Sequence, residues 1–190
     1  MAEELKDSDG TPGRGPCGRL DSPIKARVIV ASTRAATGVY ADKSGPVLVD
    51  GLRSGGLDVD GPVVVPDGPE VEKSLREAVA DGRDFVITSG GTGLTPTDRT
   101  PEATRAVIDF EVPGLAEALR AYGRAKLPQA DLSRGLAGAA GATLIVNIAG
   151  SSGAAKDALA VLTPDLLSHC VSQLRGGDHP QPSAPEGASS

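Results

Sequence analysis

The chain of 190 residues has few of the side chains that nucleic-acid binding requires. It contains no tryptophan, two phenylalanines and two tyrosines, so aromatic rings that could stack on bases are nearly absent. Lysine and arginine are scattered along the chain, and the formal net charge is −6. Because binding to nucleic acid needs a basic surface, usually with aromatic side chains, this composition argues against a nucleic-acid partner.

Cysteine and histidine are also scarce. Cys17 and Cys170 lack the spacing of a metal site, which favours a reduced, cytoplasmic setting. Cys170 lies on an apolar helical face and is expected in the core, whereas Cys17 is expected to be a free surface thiol. His169 and His179 have no Cys or His at a useful spacing, so neither is predicted to bind a metal.

Long apolar runs are missing as well. No segment approaches the roughly 20 apolar residues of a membrane helix, and the acidic N-terminus lacks the apolar core of a secretory signal. Residues 1–23 and 176–190 are polar, so we predict that they are disordered tails. The expected folded domain is then residues 24–175.

Within that domain, strand-like and helix-like segments alternate. Periodicity and turn signals predict strands at residues 26–31, 63–65, 84–88, 136–140 and 143–148. They predict helices at residues 46–53, 69–81, 115–122, 151–162 and 165–174, and a helix capped by Thr100 that Pro113 interrupts. The last two strands are expected to form a hairpin at Gly141-Ala142. The alternation predicts an α/β three-layer sandwich around a mostly parallel sheet with one antiparallel edge.

The most informative segment is residues 88–104, TSGGTGLTPTDRTPEAT, which follows a predicted strand. Its glycines let the backbone approach a ligand and point several N–H groups the same way, which suits a phosphate. Asp98 would repel that phosphate unless a cation lay between them, so Mg²⁺ is expected. The segment is not a Walker loop, because no Lys-Ser or Lys-Thr pair follows, and Pro96 replaces the third glycine of a dinucleotide fingerprint.

Other polar residues follow the remaining predicted strands. Asp67 follows the second strand, and Gly150 and Ser151 follow the last. Ligands of open α/β sheets bind at the carboxyl ends of the strands. These residues and the glycine-rich segment are therefore expected to meet in one crevice.

Four blocks of sequence resemble one known family. They are Ala31-Ser32 with GVYADKSGP (residues 38–46), Val65-Pro66-Asp67, residues 88–104, and LSRG (residues 132–135) with NIAGS (residues 147–151). On these blocks the chain resembles the bacterial molybdenum-cofactor proteins of the Mog/MoaB type, which share a domain with gephyrin and its plant counterpart. Three positions depart from the common pattern of that family: Thr33 stands where Asp is frequent, Ala149 where Pro is frequent, and Gly153 where some members have Lys.

The resemblance implies a homotrimer with a molybdopterin-binding fold. In the adenylyltransferase members, Mg²⁺, ATP and molybdopterin give adenylylated molybdopterin and pyrophosphate, which prepares the pterin for the molybdate-insertion enzyme. Apolar segments such as residues 137–148 also suggest more apolar surface than a small sheet needs. Two functions from different classes remain open, an adenylyltransferase and a non-catalytic molybdopterin-binding carrier. Residues 88–104 argue against an unrelated nucleotide-binding regulator.

The same resemblance assigns roles to individual residues. Asp67 and Asp98 are implied as the catalytic carboxylates that hold Mg²⁺. The implied substrate-binding residues are Ser89, Gly90, Gly91, Thr92, Gly93, Ser133, Arg134, Gly150 and Ser151, and the residues on the nucleotide side are Ser32, Lys43 and Ser44.

Each of these assignments has a structural alternative. Asp67 could cap the helix that begins near Pro69, and Asp98 could close an Asx-turn near Thr100. Ser133-Arg134 could be a surface turn, and Lys43 a solvated charge.

Overall fold

The computed structural model describes residues 22–177, and its centre is a six-stranded sheet. The strands are β1 (Lys25–Ala31), β2 (Asp58–Val65), β3 (Phe85–Ser89), β4 (Phe110–Glu111), β5 (Ala137–Ala140) and β6 (Thr143–Ile148). They lie in the order β2-β1-β3-β6-β5-β4. The first four strands in that order are parallel to one another. Strand β5 pairs antiparallel with β6, and β4 pairs antiparallel with β5. The predicted α/β fold with a mostly parallel sheet and an antiparallel edge is confirmed.

Helices cover both faces of this sheet. They are α1 (Thr33–Ala36), α2 (Ser44–Ser54), α3 (Pro69–Ala80), α4 (Thr100–Arg105), α5 (Pro113–Arg124), α6 (Ser152–Val161) and α7 (Pro164–Leu174), with a 3₁₀ turn at Pro128–Leu132. Side chains of α2, α6 and α7 share one buried cluster with strand residues, and those of α3 and α4 share another. The molecule therefore has the three layers that the sequence predicts.

The buried strands explain why both clusters are apolar. In β6, Leu144 and Val146 belong to the first cluster and Ile145 to the second. Successive side chains of a strand point to opposite faces, so a strand buried on both faces must be apolar almost throughout. Thr143 and Asn147 are the polar exceptions in this strand, and Asn147 lies under the candidate site.

Strand β2 begins at Asp58, five residues before the predicted start. It includes Gly61 and Pro62, which are rare in strands, so the sequence pattern does not predict a strand there. The pairing of β2 with β1 shifts register between Arg27 and Ile29. β2 lies at the edge of the sheet, where the missing N–H of a proline is tolerated.

The prediction that Pro113 interrupts a helix is wrong. Pro113 is the first residue of α5, a position where its missing N–H costs no helical hydrogen bond. The segment before it forms β4, which pairs with β5 and was not predicted. The single turn α1 was not predicted either, because four residues carry no readable periodicity.

Parts of the predicted tails, residues 1–21 and 178–190, lie outside the described residues together with Cys17 and His179. Cys170 is half-buried against the first cluster, as predicted, and burial raises the pKa of its thiol. Within residues 22–177, none of the helices combines the length and the apolar character needed to cross a membrane. Residues 137–148 are buried in the sheet except at the turn Gly141-Ala142, so they supply no surplus apolar surface for a trimer.

Candidate functional site

A cavity of about 1270 Å³ opens at the carboxyl ends of the parallel strands. It is lined by residues that follow β1, β2, β3 and β6, so the predicted convergence of these segments is confirmed. The predicted site residues that line it are Ser32, Lys43, Ser44, Asp67, Ser89, Gly90, Gly91, Thr92, Gly93, Asp98, Ser133, Gly150 and Ser151. Arg134 does not line it.

The glycines after β3 allow close approaches that a side chain would prevent. Gly90 and Gly91 have φ of +104° and +62°. A Cβ atom at Gly90 would collide with the carbonyl oxygen of Ala31, and one at Gly91 would collide with the Thr100 hydroxyl. Gly150 lies against Gly90, since its Cβ would stand 3.0 Å from the Gly90 Cα. Glycine at position 90 thus allows the loop after β3 to approach the end of β1, and glycine at position 150 allows the loop after β6 to approach Gly90.

The carbonyl groups of this loop point into the protein. Gly91 O accepts from Thr100 N at 3.0 Å, Thr92 O from Arg134 N at 2.8 Å, and Gly93 O from Arg134 Nε at 2.8 Å. In a trans peptide the following N–H points the opposite way. The N–H groups of Thr92 and Gly93, which line the cavity, therefore point away from these partners and are available to an anion.

The Gly90 N–H is not among the several N–H groups that are left for a phosphate. It donates to Ile148 O at 3.0 Å, which extends the β3–β6 ladder by one residue.

Asp67 is held by Thr33. Its Oδ2 atom accepts from the Thr33 N–H and from Thr33 Oγ1, both at 2.9 Å, and the Asp67 N–H donates to Thr33 Oγ1 at 3.1 Å. The other oxygen, Oδ1, lies 3.2 Å from the ideal Cβ position of Gly91. Asp67 does not cap α3, because the N-cap residue is Gly68 and no side chain bonds there. Thr33 therefore fixes the carboxylate beside the glycine loop.

Asp98 closes a local turn. Its Oδ2 atom accepts from Thr95 N at 3.0 Å and from Thr95 Oγ1 at 2.6 Å, and Asp98 N donates to Thr95 O at 3.0 Å. The same Oδ2 lies 2.9 Å from the ideal Cβ position of Gly93. The turn alternative is thus present, formed with Thr95 rather than near Thr100. The carboxylate still faces the glycine loop and lines the cavity.

Ser133 also lines the cavity and contacts the glycine loop through Thr92. Its Oγ atom donates to Thr92 Oγ1 at 3.2 Å and accepts from Gly135 N at 3.3 Å. Arg120, which the sequence analysis did not assign, donates from its guanidinium to Gly135 O at 2.8 Å and also lines the cavity. The part of the cavity near Ser133 is the expected pterin side.

Arg134 holds the loop instead of facing the cavity. Its Nε donates to Gly93 O, its Nη2 to Asp98 O, and its Nη1 pairs with the Glu102 carboxylate. The hydrogen bond from Arg134 lowers the pKa of Glu102. Each of the three guanidinium nitrogens thus has a partner within the protein, and substrate binding by Arg134 stays a prediction.

The nucleotide-side residues lie near the end of β1 and the start of α2. Ser32 caps α1, its Oγ accepting from Ala35 N at 3.3 Å. Ser89 Oγ donates to Ser44 Oγ at 2.9 Å, and Ser44 Oγ donates to Asp42 Oδ1 at 3.0 Å. Lys43 is exposed, with its ammonium 5.8 Å from the centre of the Tyr40 ring. Ser151 caps α6, accepting from Ala154 N at 3.1 Å.

A buried polar network under the loop was missed. Asn147 is 3% exposed, and its Nδ2 donates to Thr88 Oγ1 and to Thr104 Oγ1, both at 3.0 Å. Thr104 Oγ1 donates to Thr100 O at 2.9 Å. One asparagine inside the apolar run TLIVNI was the available sequence signal, because a buried amide must find partners.

The two carboxylates Asp67 and Asp98 are suited to a magnesium ion that also has phosphate and water ligands, not to one held by protein ligands alone. Among residues 22–177, no group of three or more His, Cys, Asp or Glu side chains could hold a metal. Mg²⁺ is usually bound by one or two carboxylates, with substrate phosphates and water as the other ligands. Within the described chain, no group donates a hydrogen bond to Oδ1 of Asp67 or of Asp98, so each retains a free oxygen.

Comparison with known proteins gives consistent relatives. Residues 27–169 match the family described as "Probable molybdopterin binding domain". The solved structure of a molybdopterin biosynthesis Mog protein from Mycobacterium ulcerans has a TM-score of 0.77 and 46% sequence identity, covering 82% of this chain and 99% of that one. A molybdopterin adenylyltransferase of Helicobacter pylori is 34% identical over 157 residues, covering 80% of this chain and 89% of the relative.

A longer relative is matched only in part. A molybdenum cofactor biosynthesis bifunctional protein of Chlorobaculum tepidum is 36% identical over 156 residues, which cover 82% of this chain and 50% of that protein. The chain thus spans about half the length of that bifunctional relative. The match over residues 27–169, the shared fold and these relatives together show that the chain belongs to the Mog/MoaB-like molybdenum cofactor biosynthesis family.

Proposed function

We propose that this protein transfers AMP from ATP to molybdopterin and releases pyrophosphate. Relatives from Helicobacter pylori, Haemophilus influenzae and Escherichia coli, 33–35% identical, are named molybdopterin adenylyltransferase, which supports the proposal. The observation that carries it is the placement of Asp67 and Asp98. They follow different strands, yet both carboxylates face one glycine loop in a single cavity.

The reaction needs positioning more than a protein nucleophile. An oxygen of the molybdopterin phosphate attacks the α-phosphorus of ATP, and a new P–O bond forms. The P–O bond to the β-phosphate breaks, and its electron pair leaves with pyrophosphate. Such transfers are accelerated mainly by alignment and by stabilisation of negative charge.

The residues of the cavity can provide both. The outward N–H groups of Thr92 and Gly93 are suited to hold the pterin phosphate, and Ser133 bounds the pterin side. Asp67 and Asp98 would hold Mg²⁺, which when bound neutralises phosphate charge. Ser32, Ser44 and Lys43 line the side left for the nucleotide.

A carrier that binds molybdopterin without transferring AMP is the second candidate. Its support is that Thr95 engages one oxygen of Asp98 in a local turn, which leaves a single oxygen of this carboxylate for a metal. The two candidates differ in one measurable product, pyrophosphate.

The test is pyrophosphate release by the full chain with purified molybdopterin, ATP and Mg²⁺, beside a direct titration of pterin binding. Asp67→Asn and Asp98→Asn keep the shape but remove the charge, so each should lower turnover about 100-fold or more while pterin still binds. Asp50→Asn, an exposed change on α2 outside the cavity, is the matched control. Ser133→Ala should first weaken pterin binding.

Two outcomes separate the candidates. Tight pterin binding by the unmodified protein without pyrophosphate refutes the transferase and leaves the carrier. Full turnover in Asp98→Asn keeps the transferase and refutes the placement of Mg²⁺ at Asp98.

We also propose, from the family resemblance, a cytoplasmic homotrimer that passes its product to a molybdate-insertion enzyme. Phe110 and Tyr122 are large exposed side chains that a subunit contact could cover. Light scattering at micromolar concentration should give three times the chain mass of 19.1 kDa. A monomer or dimer at every concentration would contradict the trimer.

A further inference from the structure

Three side chains at the nucleotide side form a group in which only Lys43 has so far been assigned to the nucleotide. They are Arg34, Tyr40 and Lys43, here called the Tyr40 cluster. The Arg34 guanidinium carbon and the Lys43 ammonium nitrogen each lie 5.8 Å from the centre of the Tyr40 ring, which is 51% exposed. All three line the cavity. One exposed aromatic ring therefore gathers two positive charges at the site.

These two charges have no carboxylate partner in residues 22–177, where neither Arg34 nor Lys43 takes part in an ion pair. The nearest acidic residue in sequence, Asp42, is occupied elsewhere. Its carboxylate accepts from Ser44 N at 2.9 Å and from Gly45 N at 3.1 Å, which caps the start of α2. Two positive charges that line one cavity and lack acidic partners favour an anion in that cavity. The Tyr40 cluster thus has the charge of an anion site without an anion of its own.

Its position selects the part of the ligand that it can reach. Arg34 directly follows Thr33, the residue that holds Asp67, whereas Ser133 and Thr92 meet on the pterin side. In the proposed reaction the α-phosphorus must lie between the pterin phosphate and the leaving group. A phosphate chain that passes Asp67 on the side of α1 would place its β- and γ-phosphates toward the Tyr40 cluster.

We propose that Arg34 and Lys43, held against Tyr40, bind the β- and γ-phosphates of the nucleoside triphosphate and the pyrophosphate that leaves. This rests on the proposed function for the identity of the nucleotide. AMP lacks both of these phosphates. The affinity for AMP should therefore not depend on the Tyr40 cluster, whereas affinities for the triphosphate and for pyrophosphate should.

The experiment is calorimetric titration of the full chain with α,β-methylene-ATP, with pyrophosphate and with AMP, each in the presence of Mg²⁺. Arg34→Gln and Lys43→Gln should each weaken binding of the analogue and of pyrophosphate about tenfold, equivalent to about 1.4 kcal/mol. AMP binding should change less than about twofold, well under 1 kcal/mol. Arg105→Gln and Lys73→Gln remove the same charges from exposed sites outside the cavity and are the controls.

The ring is tested separately. Tyr40→Ala should weaken analogue binding severalfold, and Tyr40→Phe, which keeps the ring, should restore it. Analogue binding in Arg34→Gln and Lys43→Gln equal to that of the controls would overturn the proposal. Equal losses for AMP and for the analogue would also overturn it, because the cations would then hold another part of the nucleotide. Failure of the unmodified protein to bind the analogue would overturn it as well.

The same variants separate this inference from the proposed function. Selective loss of triphosphate binding, in a protein that releases no pyrophosphate with molybdopterin, supports the subsite and refutes the transferase. Normal transfer with unchanged binding in the variants refutes the subsite and keeps the transferase.

Discussion

Replacing Arg134 with glutamine should loosen the glycine loop without removing a contact to substrate. The guanidinium bonds to the carbonyl oxygens of Gly93 and Asp98 and to the Glu102 carboxylate. Hydrogen bonds to charged groups contribute about 1.5–3 kcal/mol each when shielded from water. Because the Arg134 and Glu102 side chains are 36% and 40% exposed, solvent screens their pair. We therefore expect a loss of about 2 kcal/mol in unfolding free energy for all three bonds together.

Turnover should fall more than stability suggests. Arg134 fixes the backbone at both Gly93 and Asp98, so its loss lets the loop and the Asp98 carboxylate shift together. A displacement of about 1 Å in a positioned group can cost about 100-fold in rate. We expect turnover in Arg134→Gln to fall about 10- to 100-fold, and Arg134→Lys to recover only part of it, since one ammonium cannot replace the fork.

The difference in unfolding free energy between the unmodified protein and Arg134→Gln should also depend on pH. Arg134 lowers the pKa of Glu102 below its ordinary value of about 4.3. A carboxylate with a lowered folded-state pKa stabilises the protein above its unfolded-state pKa, and this stabilisation is lost as the pH falls through the folded-state value. This difference in unfolding free energy should therefore become smaller when the pH is lowered from 7 to about 3.5. It should not vanish, because Arg134 of the unmodified protein still bonds to the two carbonyl groups at the lower pH.

Denaturant unfolding at the two pH values, with turnover at pH 7, tests these expectations. Arg105→Gln is the matched control, since Arg105 lies on the same helix as Glu102 and pairs with Glu111 at the surface at 2.9 Å. The reasoning is refuted if Arg134→Gln behaves like Arg105→Gln. Loss of pterin binding in Arg134→Gln at unchanged stability would also refute the reasoning, because it would show that Arg134 contacts the substrate.

Three further changes test the scaffold of the cavity. Thr33→Val removes the hydroxyl that bonds Asp67 and should raise the Mg²⁺ concentration for half-maximal turnover severalfold. Thr33→Ser keeps the hydroxyl and should show the unmodified Mg²⁺ dependence. Identical Mg²⁺ curves for Thr33→Val and the unmodified protein would contradict the role of Thr33. Gly91→Ala should lower the unfolding free energy by about 2 kcal/mol, because residue 91 has a positive φ and a Cβ atom there would clash with the Thr100 hydroxyl. Gly114→Ala is the control, since it adds a methyl group in open space on a helix and should be neutral or stabilising. Thermal unfolding compares the two variants. Asn147→Leu leaves two buried hydroxyls without their donor and should cost about 2–4 kcal/mol in denaturant unfolding, and a loss under about 0.5 kcal/mol would contradict the network.

The sequence was sufficient to predict most of the fold because its central strands are buried on both faces. Residues 84–88 and 143–148 contain the apolar runs Phe85-Val86-Ile87 and Leu144-Ile145-Val146, and the helices carry clear periodicity. Where that signal is weak, the predictions failed. The start of β2 contains Gly61 and Pro62, β4 has two residues, and α1 has four. These elements depend on pairing partners or on a cap, and neither can be read from local composition.

The candidate site shows a similar limit at the level of single side chains. Residue type and chain position were enough to place Asp67, Asp98 and the glycine loop at one cavity. They could not reveal that Arg134 turns its guanidinium toward loop carbonyls, because the direction of a long side chain depends on contacts with residues distant in sequence. The same applies to Thr33, whose partner Asp67 is 34 residues away.

The structure also changes how the alternatives for the two carboxylates relate to each other. A structural role and a role at the metal were opposed in the sequence, yet each carboxylate has two oxygens. In Asp67, Oδ2 receives both bonds from Thr33, and in Asp98, Oδ2 receives both bonds from Thr95. Each Oδ1 remains without a donor in the described chain. One oxygen can thus fix the orientation while the other is left for a ligand, which is the preorganisation that a catalytic site requires. The bonds to Thr33 and Thr95 therefore do not weaken the proposal that these carboxylates hold Mg²⁺; they supply the rigidity on which it depends.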